Sequence, residues 1–213
     1  MSRFASLLLA FSLQSLVGCS PAAGLAPSQA AAETGPVVGK PAPGFTLTGA
    51  DGETVKLSEL LGKNVVIEWF NPDCPFIVSA HKGGPLETLP KEWVDRGGVW
   101  LTINSNAAGK QGHGQERNTK AKSEYSLPTA VLLDEDGKVG RMYNARTTPQ
   151  MFVIDAKGTL VYAGGLDNAP RGRAPSSGLQ PWLKQALTAV ESGESPSPSQ
   201  TKPYGCSVKY ADG

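Results

Sequence analysis

Three cysteines stand at positions 19, 74 and 206, and the second has the surroundings of a reactive thiol. Cys74 sits in Trp69-Phe70-Asn71-Pro72-Asp73-Cys74-Pro75-Phe76, after an apolar run and before a proline. Proline suits the first position of a helix, where its missing N–H costs nothing. Cys74 then occupies the N-cap, with free backbone N–H groups and the positive end of the helix dipole directed at its sulfur. The thiolate is the nucleophile, and helix N-termini lower thiol pKa values. Asp73 opposes this as an adjacent like charge, so the expectation is a depressed but not extreme pKa. His81 lies seven residues on, about 10 Å along a helix axis. That is too far for a Cys–His pair, and His81 reads as a surface or partner-contacting residue. His113, in the glycine-rich stretch 109–114, reads as solvated. That stretch is no phosphate loop, because the GxxxxGK[ST] pattern is missing, and no zinc-type cluster of ligands is present. Arg141 and Arg146 are candidate thiolate-stabilising cations, with solvated surface charge the plainer reading of each.

The elements that would position Cys74 follow from periodicity. Val65 to Phe70 is a nearly continuous apolar run, as expected of a strand buried on both faces. Val99 to Ile103 is a second such strand, and a helix should follow Pro75. Phe45 to Leu47 and Ala130 to Leu133 read as short strands, with a turn at Ala50-Asp51-Gly52 and a brief helix over Leu60-Leu61 capped by Ser58. Gln115 to Tyr125 and Gly137 to Tyr143 are helical candidates. Met151 to Ile154 and Thr159 to Tyr162 flank Asp155-Ala156-Lys157-Gly158 as a hairpin. Leu179, Trp182, Leu183, Ala186, Leu187 and Val190 give a closing amphipathic helix. A β-α-β-α order, then hairpin and helix, argues an α/β class with a mixed sheet.

The two ends differ from this middle. Arg3 and the apolar stretch Phe4 to Leu16 look like an export signal, too short to span a bilayer permanently. Leu16-Val17-Gly18-Cys19 resembles the lipobox of bacterial lipoproteins, which implies cleavage after residue 18 and a lipidated Cys19; an ordinary signal cleaved near Ala30-Ala31-Ala32 is the alternative. A multiply acylated end is a stable anchor. Ser20 after the cysteine resembles outer-membrane lipoproteins, which implies a cell-envelope location facing the periplasm. Residues 19–36 read as a flexible tether, 37–190 as the folded domain, and 191–213 as a Ser/Pro linker with a cysteine-containing tail. In an exported compartment disulfides are permitted. Once Cys19 is lipidated, Cys74 and Cys206 allow one intramolecular pairing. The 213 residues carry a net charge of +1, with no basic stripe, so nucleic-acid partners are set aside.

The order of strand, Cys74, helix, Thr147-Thr148-Pro149 and hairpin resembles the thioredoxin-like superfamily, within it the peroxiredoxin-like AhpC/TSA and redoxin group. The resemblance runs from about Val38 to Val190, and the tail Lys202 to Tyr210 is similar to tails of this subgroup. It implies a thioredoxin-like fold with a mixed central sheet and flanking helices, and a cis Pro149 facing Cys74. It also implies a loop at Thr148-Pro149 that pairs with a peptide or holds a substrate sulfur. Two departures stand out. Thioredoxin has a second cysteine where Ile77 stands, so no local disulfide can form. Peroxiredoxins carry threonine and proline where this chain has Asn71 and Ile67; Asn71 could still donate a hydrogen bond to the reacting group.

Two classes of function remain. In the first the chain is a thiol-dependent oxidoreductase without cofactor. Cys74 attacks a peroxide or a protein disulfide, Cys206 resolves the product, and a thiol reductant resets the pair. Tyr204, Val208 and Tyr210 supply apolar groups to dock the tail near Thr148-Pro149, although Cys206 could instead pair with another chain. In the second, the fold is a binding module for a protein partner or a soft metal such as Cu(I), with both thiols as ligands. The copper-binding relatives, however, use two neighbouring cysteines plus a histidine, a set this chain lacks.

Overall fold

The computed structural model describes residues 35–211. The expected signal peptide, the expected lipidation site Cys19 and all but the last two residues of the expected tether lie outside the described residues. Nine strands and five helices follow in order: β1 Thr46–Gly49, β2 Thr54–Lys56, β3 Val65–Trp69, α1 Pro75–His81, α2 Leu89–Asp95, β4 Val99–Asn104 and α3 Gln115–Glu124. Then come β5 Val131–Leu133, α4 Lys138–Met142, β6 Thr147–Thr148, β7 Gln150–Ile154, β8 Leu160–Gly164, α5 Trp182–Glu191 and β9 Cys206–Ser207. Seven strands form one mixed sheet in the order β2-β1-β5-β4-β3-β7-β8. The centre, β5-β4-β3, is parallel, and β1, β7 and β8 join antiparallel.

β3 is buried on both faces, as its apolar run requires. Its side chains alternate. Val65, Ile67 and Trp69 join a core with Leu101, Ile103, Phe152 and Tyr143. Val66 joins the opposite core, where α2 and α5 contribute Trp93, Leu183, Ala186 and Leu187. Burying each such aliphatic side chain is worth about 1.5–3 kcal/mol. Trp69 packs on Tyr143 and Phe152 with ring centroids 5.4 and 5.3 Å away. Its indole N–H donates to Ser105 Oγ at 3.0 Å, and Ser105 donates to Asp134 at 2.6 Å. The Asp134 carboxylate also accepts the Val139 and Gly140 N–H groups, anchoring the start of α4.

Several local expectations change. Lys56, not Ser58, precedes the short 3-10 turn at Leu57–Leu60, and no side chain caps it. α5 begins at Trp182, leaving Leu179 exposed. The proline at 181 disfavours α geometry at Gln180, so the helix cannot extend back to Leu179. The stretch 191–203, read as a linker, runs along the outer edge of β8 from Ser199 onward. The Ala163 N–H donates to Ser199 O at 3.1 Å and the Thr201 N–H to Ala163 O at 3.2 Å. Thr201 Oγ1 also accepts the Gly165 N–H at 2.9 Å. An edge strand exposes unpaired backbone groups, and this segment satisfies part of that edge.

Candidate active site

Cys74 lies where the sequence places it: extended backbone (φ −77, ψ 123) at the N-cap of α1, with Pro75 in the first turn. The loop before it is shaped by Asn71, whose Oδ1 accepts the Asp73 N–H at 3.0 Å while its carbonyl accepts the Cys74 N–H at 3.1 Å. Asn71 therefore acts on the loop backbone as an Asx-type turn. Its Nδ2 points to Gln111 Oε1 at 3.5 Å. Gln111 in turn donates to Asp73 O at 3.1 Å, which ties the loop after β4 to the cysteine loop. Gly112 (φ +75) lies against Asn71, where a Cβ would overlap Asn71 Oδ1.

The second cysteine arrives through the tail. β9 pairs antiparallel with β6, with Cys206 opposite Thr148 and Ser207 opposite Thr147. Thr148 and the cis Pro149 are both buried. Cys206 packs into the small core that holds Cys74, Phe70, Ile77, Tyr125 and Val131. Both cysteines are free thiols, and Cys74 is 0% exposed. The tail is held on both sides of Cys206. Tyr204 O–H donates to Asp167 at 2.7 Å and its ring lies 5.9 Å from Phe76. The Val208 N–H donates to Arg146 O at 3.0 Å, the Lys209 N–H to Asn106 Oδ1 at 2.9 Å, and Tyr210 O–H to Ala145 O at 2.7 Å.

The pKa values of the two thiols are shifted in opposite directions. Burial pushes the Cys74 thiol up, but donors around its sulfur outweigh it and hold the pKa below the ordinary thiol value. These are the Cys206 thiol, the Thr148 hydroxyl, and the N–H groups of Ile77 and Cys206. Cys74 makes no complete side-chain cap of α1, so the Ile77 N–H acts as a nearby dipole. The Thr148 carbonyl, which accepts the Cys74 S–H at 3.2 Å, favours the protonated form and so works against these donors. Burial pushes Cys206 up to about 11, aided by its bond to Cys74 and the negative charge there. The arrangement makes Cys74 the more readily ionised thiol, beside a Cys206 that keeps its proton at neutral pH.

Other expected residues fall elsewhere. Arg146 is exposed, and its Nε donates to Asn144 at 2.9 Å. It serves the site through its carbonyl, not its guanidinium. Arg141 lies over the Tyr210 ring, 4.7 Å from its centroid, and bonds Asp136 O and Ala211 O. The cation at the cysteine loop is Arg117 of α3, which donates to Asp73 Oδ1 at 2.8 Å and to Pro72 O at 3.2 Å. An unpartnered acid beside a reactive cysteine was the signal that could have pointed to such a cation. His81 is not a surface residue: it is 3% exposed, and its Nε2 lies 2.8 Å from the buried Glu68 carboxylate. Glu68 also accepts the Trp100 indole N–H at 3.0 Å. A glutamate inside a buried strand needs such partners, which is the reason for the difference. His113 is half-buried, 2.9 Å from Glu135. Among the described residues no group of three or more His, Cys, Asp or Glu could hold a metal ion.

The AhpC/TSA family profile matches residues 38–163. Thioredoxin-like protein YneN of Bacillus subtilis is 28% identical over 129 residues, 60% of this chain and 71% of that protein. Peroxiredoxin Bcp of the same organism is 27% identical over 139 residues, 58% of this chain and 82% of its own. Among solved structures, an uncharacterized conserved protein from Geobacillus kaustophilus superposes with a TM-score of 0.73 at 29% identity, covering 83% of this chain and 94% of that one. A hypothetical protein from Sinorhizobium meliloti 1021 gives 0.70 at 28% identity, covering 83% and 96%. With the thioredoxin-like sheet, the cysteine at the head of α1 and a second thiol beside it, the chain belongs to the AhpC/TSA family and is a thiol-dependent oxidoreductase.

Proposed function

We propose that Cys74 is the nucleophile and Cys206 the resolving thiol of one two-electron cycle within a single chain. With a peroxide, the Cys74 thiolate attacks one oxygen and the O–O bond breaks. The sulfur becomes a sulfenic acid, and the leaving oxygen departs as water or alcohol after taking a proton. The Cys206 sulfur then attacks the sulfenic sulfur, water leaves, and a Cys74–Cys206 disulfide forms. With a disulfide substrate, the thiolate forms a mixed disulfide and releases one thiol, and Cys206 releases the second. An external thiol reductant returns two electrons to reset the pair. Thr148 and Pro149 hold the strand on which Cys206 docks, Pro75 starts the helix, and Asn71 shapes the cysteine loop.

One observation carries this reading: the pairing of β9 with β6 packs the Cys206 side chain into the small core that holds Cys74, whose pKa is pushed down. The relatives named peroxiredoxin and thioredoxin-like protein are consistent with it. The lipobox-like Leu16 to Cys19 supports an acylated Cys19, an anchor in the cell envelope and an outer-membrane location facing the periplasm. Non-reducing peptide mapping of the natively produced protein after one equivalent of hydrogen peroxide tests both parts. A Cys74–Cys206 crosslinked peptide from monomer and an acylated Cys19 peptide are expected. Free Cys206 after full oxidation, or only interchain disulfides, refutes the first part; an unmodified Cys19 refutes the second.

A further inference from the structure

β9 fills a strand edge that lies directly beside the Cys74 sulfur. Thr147–Thr148 is a two-residue strand beside Cys74, and its partner is the tail. An extended peptide binds an exposed strand by supplying the missing main-chain hydrogen bonds. Here that edge is filled from within: Cys206 pairs with Thr148, and the Val208 N–H takes the neighbouring Arg146 carbonyl. The approach is close enough to demand a glycine. Gly205 has φ +146, and a Cβ there would overlap the Thr148 carbonyl oxygen and carbon. Bonds from Tyr204 to Asp167, Lys209 to Asn106 and Tyr210 to Ala145 fasten the segment on both sides. Under it Cys74 has no exposed surface.

Resting on the assignment of Cys74 as nucleophile, we infer that the C-terminal strand is a built-in substrate filter, which occupies the peptide-pairing edge of Thr147–Thr148 and restricts reduced Cys74 to small oxidants. A molecule the size of hydrogen peroxide reaches the sulfur once the Cys206 side chain swings aside, while the backbone pairing stays in place. A polypeptide disulfide must first strip β9 from β6 and lose the fastenings on either side. The tail thus supplies the resolving thiol and excludes competing substrates by the same contact.

The test is a single-turnover comparison of pre-reduced wild type with Gly205→Ala. Two probes carry the same leaving group: a ten-residue peptide and free cysteine, each as a mixed disulfide with 2-nitro-5-thiobenzoate. Attack by the Cys74 thiolate forms a mixed disulfide with the probe and releases the coloured thiol, so no external reductant is needed. Wild type should react with the cysteine probe and with hydrogen peroxide, and only slowly with the peptide probe. Gly205→Ala should raise the peptide-to-cysteine rate ratio by at least about tenfold, as expected from the loss of one or two tail hydrogen bonds. If Gly205→Ala does not fold, Tyr204→Phe, which gives up only the bond to Asp167, should raise the ratio about threefold. A wild-type ratio near one, or a ratio unchanged in the folded variant, overturns the filter. A wild type inert toward peroxide and both probes overturns the assignment of Cys74 itself, and the filter with it.

Discussion

Replacing Cys206 by alanine isolates what the second thiol does to the first before any disulfide forms. The substitution removes an S–H donor from the Cys74 sulfur and leaves the Thr148 hydroxyl and the Ile77 and Cys206 N–H groups in place. Hydrogen bonds to charged groups contribute about 1.5–3 kcal/mol. A thiol is a weak donor, so about 1 kcal/mol is the appropriate scale. At about 1.36 kcal/mol per pKa unit, the apparent pKa of Cys74 should rise by about 0.7. Water entering the vacated space relieves burial and pulls the other way, which makes this figure an upper bound. Cys206→Ser restores an O–H donor and should return the value to within about 0.3 of wild type. The assay is the pH dependence of iodoacetamide alkylation at Cys74, read peptide by peptide by mass spectrometry. In wild type, Cys206 should lag Cys74 throughout neutral pH, because it titrates near 11. A serine variant whose Cys74 pKa is no lower than that of the alanine variant would refute the account of the thiolate.

Two further substitutions test the surroundings. Arg117→Met leaves the Asp73 carboxylate beside Cys74 without its guanidinium partner, which donates to it at 2.8 Å. The pair is partly exposed, so the Cys74 pKa should rise by about half a unit or less, with a matching slowing of alkylation at pH 7; a fall would contradict the assignment. His81→Ala removes the partner 2.8 Å from the buried Glu68 carboxylate, and urea unfolding should show a loss of about 3 kcal/mol. A loss below about 1 kcal/mol would mean that Trp100 alone satisfies Glu68.

What could be read from the chain alone was whatever a short window encodes. The Val65 to Phe70 run, the cysteine followed by Pro75, and the hairpin around Asp155-Ala156-Lys157-Gly158 each carry their own local cause, and each appears in the structure. Two elements went unread, β2 of three residues and α2 of seven. The site was legible in its first residue and hidden in its second layer. Cys74 announces itself through Pro75, whereas Arg117 is 43 positions away and meets Asp73 only because α3 packs beside the cysteine loop. His81 falls inward against Glu68 of β3, a fact of packing that no helical spacing from Cys74 expresses. The placement of Cys206 is decided at the longest range. Tyr204, Val208 and Tyr210 suggested that the tail docks near Thr148-Pro149, but the means were not legible: backbone pairing to β6, a glycine that permits the close approach, and side-chain anchors on separate parts of the fold bring Cys206 to Cys74. Sequence patterns record which residues prefer a strand or a cap. Which strand edge stands open for a tail to fill is settled only once the sheet order exists, because that order determines which hydrogen-bonding groups remain unpaired.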